Sequence, residues 1–399
     1  MHEQTRPLNR PEQQPLEFYL ARLGADVAFD TINLKTARAL DRALAGKELS
    51  SDEGMTLAAA EGRELQALIG AADCVRFETV GDVVTYVVNR NINFTNICFV
   101  GCRFCAFSRT PHQDDAYFLS QDEITQRAEE AWQRGATEVC VQGGLPRGMD
   151  GYHYRDVLRA IKKGAPLIHI HAYSPMEVVY GVERTGMSLT DYLLMLKGVG
   201  LDTLPGTAAE ILDDGVRGQI SRQKLTVKQW VEVITTAHRL GIRTTSTMMY
   251  GHVENGEHWV RQLLLLRDMQ KETGGFTEFV PLGFVHQNTL LYQIGGARPG
   301  PTIEEHLKVH ALARLMLRGW IDNIQVSWVK LGRKISQACM RAGANDYGGT
   351  LMDENISRLA GATAGEYLSP EEFQERIREI GRIPAERSTR YEILKRHAA

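Results

Sequence analysis

Three cysteines, Cys98, Cys102 and Cys105, fall within the run Cys98-Phe99-Val100-Gly101-Cys102-Arg103-Phe104-Cys105. That spacing lets one short loop offer three thiolates to three corners of a single iron–sulfur cubane. Cubanes ordinarily take four cysteines, so a trio leaves one iron without a protein ligand. An open iron suits S-adenosylmethionine, whose amino and carboxylate groups can chelate it while the sulfonium is reduced to a carbon radical. The spacing therefore predicts a radical enzyme with a 4Fe-4S cluster and S-adenosylmethionine as cofactors. Two plainer readings compete. A structural zinc site needs four ligands, and His112 is near enough in sequence to be the fourth. A disulfide framework fits worse, because six cysteines in 399 residues is sparse and three packed together cannot all pair. Cys74, Cys140 and Cys339 sit among apolar or small neighbours and read as buried fillers.

Other candidates follow from what must surround such a cluster. Phe104 can pack near the adenine of a chelated cofactor or simply anchor its loop in the core. Gln142, Gly143 and Gly144 directly follow an apolar strand. Glycines there permit close backbone approach to a ligand, and the Gln142 side chain can receive a methionine amino group; most Gly-Gly pairs, though, are plain turns. His169 and His171 alternate with Ile168 and Ile170, so both imidazoles share one strand face. In a barrel that face is the lumen, where they are expected near the top as proton shuttles or substrate ligands; a satisfied buried pair is the alternative. Tyr250, His252 and His286 lie just past two further strands, and Glu210 past Leu204-Pro205-Gly206-Thr207 is a carboxylate candidate or a solvated helix-terminal acid.

These side chains need a scaffold. Leu65, Leu68 and Ile69 recur at helical spacing before residue 73, and Ser51-Asp52-Glu53 offers a helix start. β-rich runs then occupy 83–88, 138–141, 167–171, 201–204, 244–249, 278–282 and 324–328. Between them Ser120/Glu123, Thr226/Gln229 and Thr302/Glu305 are capping boxes that open amphipathic helices, and Ser369-Pro370 caps a later one. Strands alternating with helices predict an α/β fold, a parallel β/α barrel of the TIM type whose functional loops lie at the strands' carboxyl ends. The division expected is a mobile lead of about fifteen residues with a helical extension to 78, a barrel core over 79–342, and a C-terminal helical closure over 343–399. A formal net charge of −3 gives no electrostatic reason for nucleic acid or an anionic membrane as partner. There is no apolar run of about eighteen residues and no signal-peptide core, so a cytoplasmic protein is expected.

A resemblance sharpens these expectations. The stretch from Asn89 to Cys98 (NRNINFTNIC), continuing through Cys105–Arg109, is similar to the radical S-adenosylmethionine enzymes of deazaflavin synthesis. Together with His169–Val178 (HIHAYSPMEV), Leu204–Leu212 (LPGTAAEIL), Thr244–Glu254, Phe276–Thr289, Ala297–Thr302 and Gly343–Arg358, it most resembles the tyrosine-using FO synthase subunit 2 family, the 5-amino-6-(D-ribitylamino)uracil–L-tyrosine 4-hydroxyphenyl transferases (CofH family). The resemblance implies that Cys98, Cys102 and Cys105 ligate the cluster. It implies Cα–Cβ cleavage of L-tyrosine and coupling of the 4-hydroxybenzyl group to C5 of the diaminouracil, with release of 2-iminoacetate. It also implies an external electron donor and a CofG-type FO synthase partner subunit on the route to coenzyme F-420. Phe99-Val100-Gly101, Leu145-Pro146-Arg147 and Leu290 depart from the family pattern. A related radical enzyme of the futalosine menaquinone route is the nearest rival, with Ser108 standing where its members tend to carry Tyr. A non-catalytic iron–sulfur or zinc protein is the third reading.

Overall fold

Among the residues that the computed structural model describes, 32–398, three helices precede the first strand; the expected polar lead lies outside them. Helix α1 (Leu34–Leu44) leads to α2 (Ser51–Ala58), capped by Ser50 and Glu53, and to α3 (Gly62–Val80). Helix α3 continues past Asp73 to Gly81, whose φ of 66° ends it.

The next eleven residues form two strands, β1 (Val83–Val87) and β2 (Asn89–Asn93), which serve different sheets. β2 opens a six-stranded, all-parallel sheet with β3 (Glu138–Gln142), β4 (His169–Ala172), β5 (Thr203–Leu204), β6 (Arg243–Tyr250) and β7 (Phe276–Gly283), paired in chain order. Helices α4 (Gln121–Gln133), α5 (His153–Gly164), α6 (Pro175–Thr185), α7 (Leu189–Gly198), α8 (Asp214–Ile220), α9 (Val227–Arg239) and α10 (Gly256–Thr273) make the crossovers. After β7 come α11 (Leu290–Gln293), α12 (Ile303–Met316) and α13 (Trp328–Met340). The expected capping boxes at Ser120, Thr226 and Thr302 are all made, and Ser174 with Glu177 adds another at α6.

The sheet curls as a partial β/α barrel. Single parallel bridges carry its ladder from Phe279 to Ile324, from Gln325 to Asp346 in β8 (Asp346–Gly349), and from Met352 back to Arg90. Val139, Val141, Ile168 and Ile170 are fully buried, with the alternation expected of strands covered by helices on one face. A second sheet, in the order β10-β9-β1-β8, adds β9 (Ile383–Arg387) and β10 (Ile393–Arg396).

Three sequence expectations need correction. The run from 83 belongs to this second sheet, and the barrel's first strand is the polar Asn89–Asn93. The run 324–328 is not a strand: it makes single bridges and then enters α13 at Trp328. The C-terminal stretch is not purely helical. It holds α14 (Ile356–Ala360) and α15 (Pro370–Arg378) beside three strands, because β8 and β9 flank β1 on either side.

The amino end of the barrel is stoppered by side chains from the end of β9 and the β9–β10 connection. Arg387 donates to both oxygens of Asp346 at 2.5 and 3.0 Å, and Tyr391 Oη donates to Glu278. Among the described residues no helix is long and apolar enough to cross a membrane.

Candidate active site

The cysteine loop leaves the carboxyl end of β2 and is pinned on several sides. The N–H of Cys98 donates to Arg109 O at 3.0 Å, that of Phe99 to Leu145 O at 3.0 Å, and that of Arg103 to Ile220 O at 2.9 Å. The N–H of Cys105 turns back onto Cys102 O at 3.1 Å, and Gly101 takes φ 65° to make the bend. All three cysteines line one cavity of about 260 Å³ above the strand ends. Burial pushes the Cys102 thiol up to about 12 and raises that of Cys105, with the neighbouring cysteines adding to both shifts. The three are therefore within electrostatic reach of one another. His112 is exposed and does not line the cavity.

Lys224 stands beside the trio. Its Nζ donates to Glu210 Oε1 at 2.6 Å and lies 5.0 Å from the centre of the Phe104 ring. Burial works against this ammonium, but Glu210 and Cys102 hold its pKa above the usual lysine value. Glu210 itself sits at φ 41°, two residues after Ala208 at φ 59°. Arg217 secures that strained turn by donating to Ala208 O and Ala209 O at 3.1 and 2.6 Å. Tyr173, Leu351 and Asp353 also have positive φ just past strands β4 and β8, so strain gathers at the carboxyl ends.

Gly143 and Gly144 do line the cavity, yet their small size serves the protein's own loop. A Cβ on Gly143 would meet the Phe94 ring at 2.5 Å, and one on Gly144 would meet Ile97 O at 2.2 Å. Gln142 donates through Nε2 to Thr207 Oγ1 at 2.8 Å, so only its carbonyl oxygen is left to receive an amine. Glu177 accepts from Gly143 N–H at 3.0 Å and from Ser174 N–H and Oγ, both at 2.7 Å. Burial raises its pKa to about 7 despite those donors.

Phe104, Gln142, Gly143, Gly144 and Glu210 thus share the cavity with the cysteines. The other expected residues are not brought to it. His169 and His171 do face the lumen, where both bond Thr203 Oγ1, at 2.9 and 2.8 Å, but they lie toward the amino end, below the cavity. β4 is only four residues long, and the cavity is lined by residues past its end, Ser174 and Glu177. Thr247 and Met249 of β6 line the cavity, so Tyr250, of opposite parity, points outward and bonds His306 Nδ1 at 2.6 Å. His252 is buried in the following turn against Met249 O and Glu254. His286 lines a second cavity of about 220 Å³ that shares Gly283, Phe284, Val285 and Lys330 with the first. Lys224, Glu177, Asn93 and Lys330 were not singled out from sequence. Only Glu177 carried a signal, the Ser-x-x-Glu box directly after a strand.

Residues 92–266 match the Radical SAM superfamily, the class that this barrel and cysteine loop define, and residues 273–398 match the CofH/MqnC C-terminal region. The chain is 53% identical over 401 residues to an FO synthase of Nocardia farcinica, covering all of this chain and 44% of that protein. It is 51% identical over 360 residues to a 5-amino-6-(D-ribitylamino)uracil–L-tyrosine 4-hydroxyphenyl transferase of Methanothermobacter thermautotrophicus, covering 90% of this chain and 98% of that one. The chain belongs to the family of these transferases and of the matching part of FO synthase. It spans less than half the length of the FO synthases it matches and nearly all of the archaeal transferase. Among solved structures, methylornithine synthase (PylB) superposes with a TM-score of 0.68 at 20% identity, over 87% of this chain and 97% of that one. The hydrogenase maturase HydG does so at 0.70 and 16%, over 93% and 78%. Both likenesses are of fold.

Superfamily members use a 4Fe-4S cluster and S-adenosylmethionine, and this site fits both groups. Among the described residues no three His, Cys, Asp or Glu converge on the position of a single ion; a cubane instead asks each thiolate for a different iron. Glu210 Oε2 and Asn93 Oδ1, both on residues lining the cavity, are buried without a hydrogen-bond partner among the described residues. An amine or a ribose hydroxyl would satisfy them.

Proposed function

We propose that this chain is the radical transferase that cleaves the Cα–Cβ bond of L-tyrosine and couples the 4-hydroxybenzyl group to C5 of 5-amino-6-(D-ribitylamino)uracil. The other products are 2-iminoacetate, methionine and 5′-deoxyadenosine. The observation that carries this reading is the convergence of three thiols and no imidazole on one cavity of a barrel half identical to the archaeal transferase. When bound, the cluster and S-adenosylmethionine supply a 5′-deoxyadenosyl radical that takes hydrogen from tyrosine.

In this reading Cys98, Cys102 and Cys105 would each hold one iron. Lys224 offsets the negative charge of the assembled thiolates and is kept in place by Glu210. The Gln142 carbonyl, the Glu210 carboxylate and the Phe104 face line the same cavity and would hold S-adenosylmethionine. Apolar walls from Phe107, Leu145, Met249 and Leu282 exclude water that would quench a carbon radical. His169, His171, Tyr250 and His252 are supports, since each is held by a hydrogen bond within the wall or floor. In this reading the product passes to a partner activity, and an external one-electron donor is required to reduce the cluster.

The test is anaerobic reconstitution followed by incubation with tyrosine, the diaminouracil, S-adenosylmethionine and a reductant. The hydroxybenzyl adduct is expected, and Cys102→Ala should lose both iron and 5′-deoxyadenosine formation. Turnover of a futalosine-route substrate in place of the diaminouracil would overturn the reading.

A further inference from the structure

The two cavities differ in chemistry and share one charged side chain. The cysteine cavity is walled mainly by apolar groups. The second, at the same end of the barrel, is walled by His286, Gln287, Thr363 and the backbone around Gly300 and Gly361. Lys330 lies on both. Among the described residues the one hydrogen bond its ammonium makes is to Ser357 Oγ at 3.0 Å, which leaves two N–H groups at the junction. Glu354 acts on it at longer range and is itself occupied by the Ser357 N–H. A half-buried ammonium with spare donors calls for oxygen acceptors.

Resting on the proposed function, we infer that the second cavity holds the polyhydroxylated ribityl chain of the acceptor, with its uracil carbonyls on the Lys330 ammonium. The reaction requires this order. Tyrosine must lie beside the radical source, whereas the acceptor meets only the freed hydroxybenzyl group and so belongs at the cavity's edge. Its ring must reach into the apolar space while its hydroxyls stay where polar partners line the wall. The shared wall of Gly283, Phe284 and Val285 permits that, and Gln287, exposed on one side, offers both a donor and an acceptor to a hydroxylated chain.

Equilibrium dialysis of the cluster-loaded, unreduced protein tests this with two probes, the ribitylated diaminouracil and tail-less 5,6-diaminouracil. Lys330→Met should weaken both by about tenfold, as expected for a lost charged hydrogen bond. Gln287→Ala should weaken the ribitylated probe by about threefold and leave the tail-less one unchanged. Being on an exposed residue, this second variant decides the matter even where Lys330→Met fails to fold. Unchanged binding of the ribitylated probe to Gln287→Ala, or equal wild-type affinity for the two probes, overturns the inference. The functional reading fails separately, by wild-type protein forming no adduct.

Discussion

Replacing Gly144 by Ala should disable the cysteine loop without touching a cysteine. The backbone there is not in the left-handed region, so conformation alone would tolerate alanine. The obstacle is the Ile97 carbonyl oxygen, 2.2 Å from where the Cβ would stand, with the Ile97 and Asn96 carbonyl carbons at 2.7 and 3.1 Å. Real Cβ contacts stay beyond 3.0 Å, so the Ile97 oxygen must retreat by about 0.8 Å, and it is backbone. That retreat strains the bonds from Gly144 N–H to Thr95 O (2.8 Å) and from Phe99 N–H to Leu145 O (3.0 Å) that clamp the segment. Overpacking of about 1–3 kcal/mol plus about 1 kcal/mol for a weakened hydrogen bond gives a loss of roughly 3 kcal/mol. Because Ile97 adjoins Cys98, iron bound after anaerobic reconstitution should fall with it. Gly218→Ala is the control. It lies within α8 with nothing inside 4 Å of its Cβ position, and should gain about 0.5–1 kcal/mol as a helical Gly→Ala change. Urea melts and iron per chain measure both variants. A Gly144→Ala protein that melts and loads iron like wild type refutes the argument.

Lys224→Met should cost about 3 kcal/mol in urea melts, because it leaves Glu210 buried with Arg217 at 3.6 Å as its remaining cation; a loss under about 1 kcal/mol contradicts this. Arg387→Met should destabilise by about 3–5 kcal/mol, since Asp346 and Glu278 lose their shared cation, and adding Asp346→Asn should restore part of that loss; a double variant no better than the single one would count against the charge argument. Burial pushes His238, held between Thr244 and Thr273, down to about 4. A depressed histidine contributes stability that is present above its unfolded pKa near 6.5 and is lost as pH falls toward 4. His238→Gln should therefore flatten the acid limb of the stability curve by at most about 3 kcal/mol, with little change in that slope above pH 7; an unaltered slope between pH 4 and 6.5 contradicts it.

Features set by neighbours in the chain were legible in the sequence. The capping boxes at Ser120, Thr226 and Thr302 are four-residue signals and form as written. The cysteine spacing brought its three thiols to one cavity, and the alternation of His169 with Ile170 gave the right face. What was missed depends on distant partners. Asn89–Asn93 falls outside the β-rich runs because Asn disfavours strands, yet Asn89 donates to Glu138 on the neighbouring strand β3 and accepts from the Leu351 N–H on its other side. Height along the barrel was also invisible: period-two alternation tells lumen from exterior but not floor from mouth, which misplaced His169 and His171. Lys224 and Lys330 occupy no motif, and only the fold carries them to the cavity walls.

Val83 pairs with Ile383, so the strand that leads into the barrel waits for one 300 positions later. Contacts so remote make for slow assembly. Until Arg387 and Tyr391 arrive, Asp346 and Glu278 lack their neutralising partners, and the lower mouth stays energetically unfinished. The order of events follows from topology: the base is sealed by late-made chain, leaving the cysteine side as the way in for metal and reactants. An oxygen-sensitive cofactor then meets a vessel already shut beneath it.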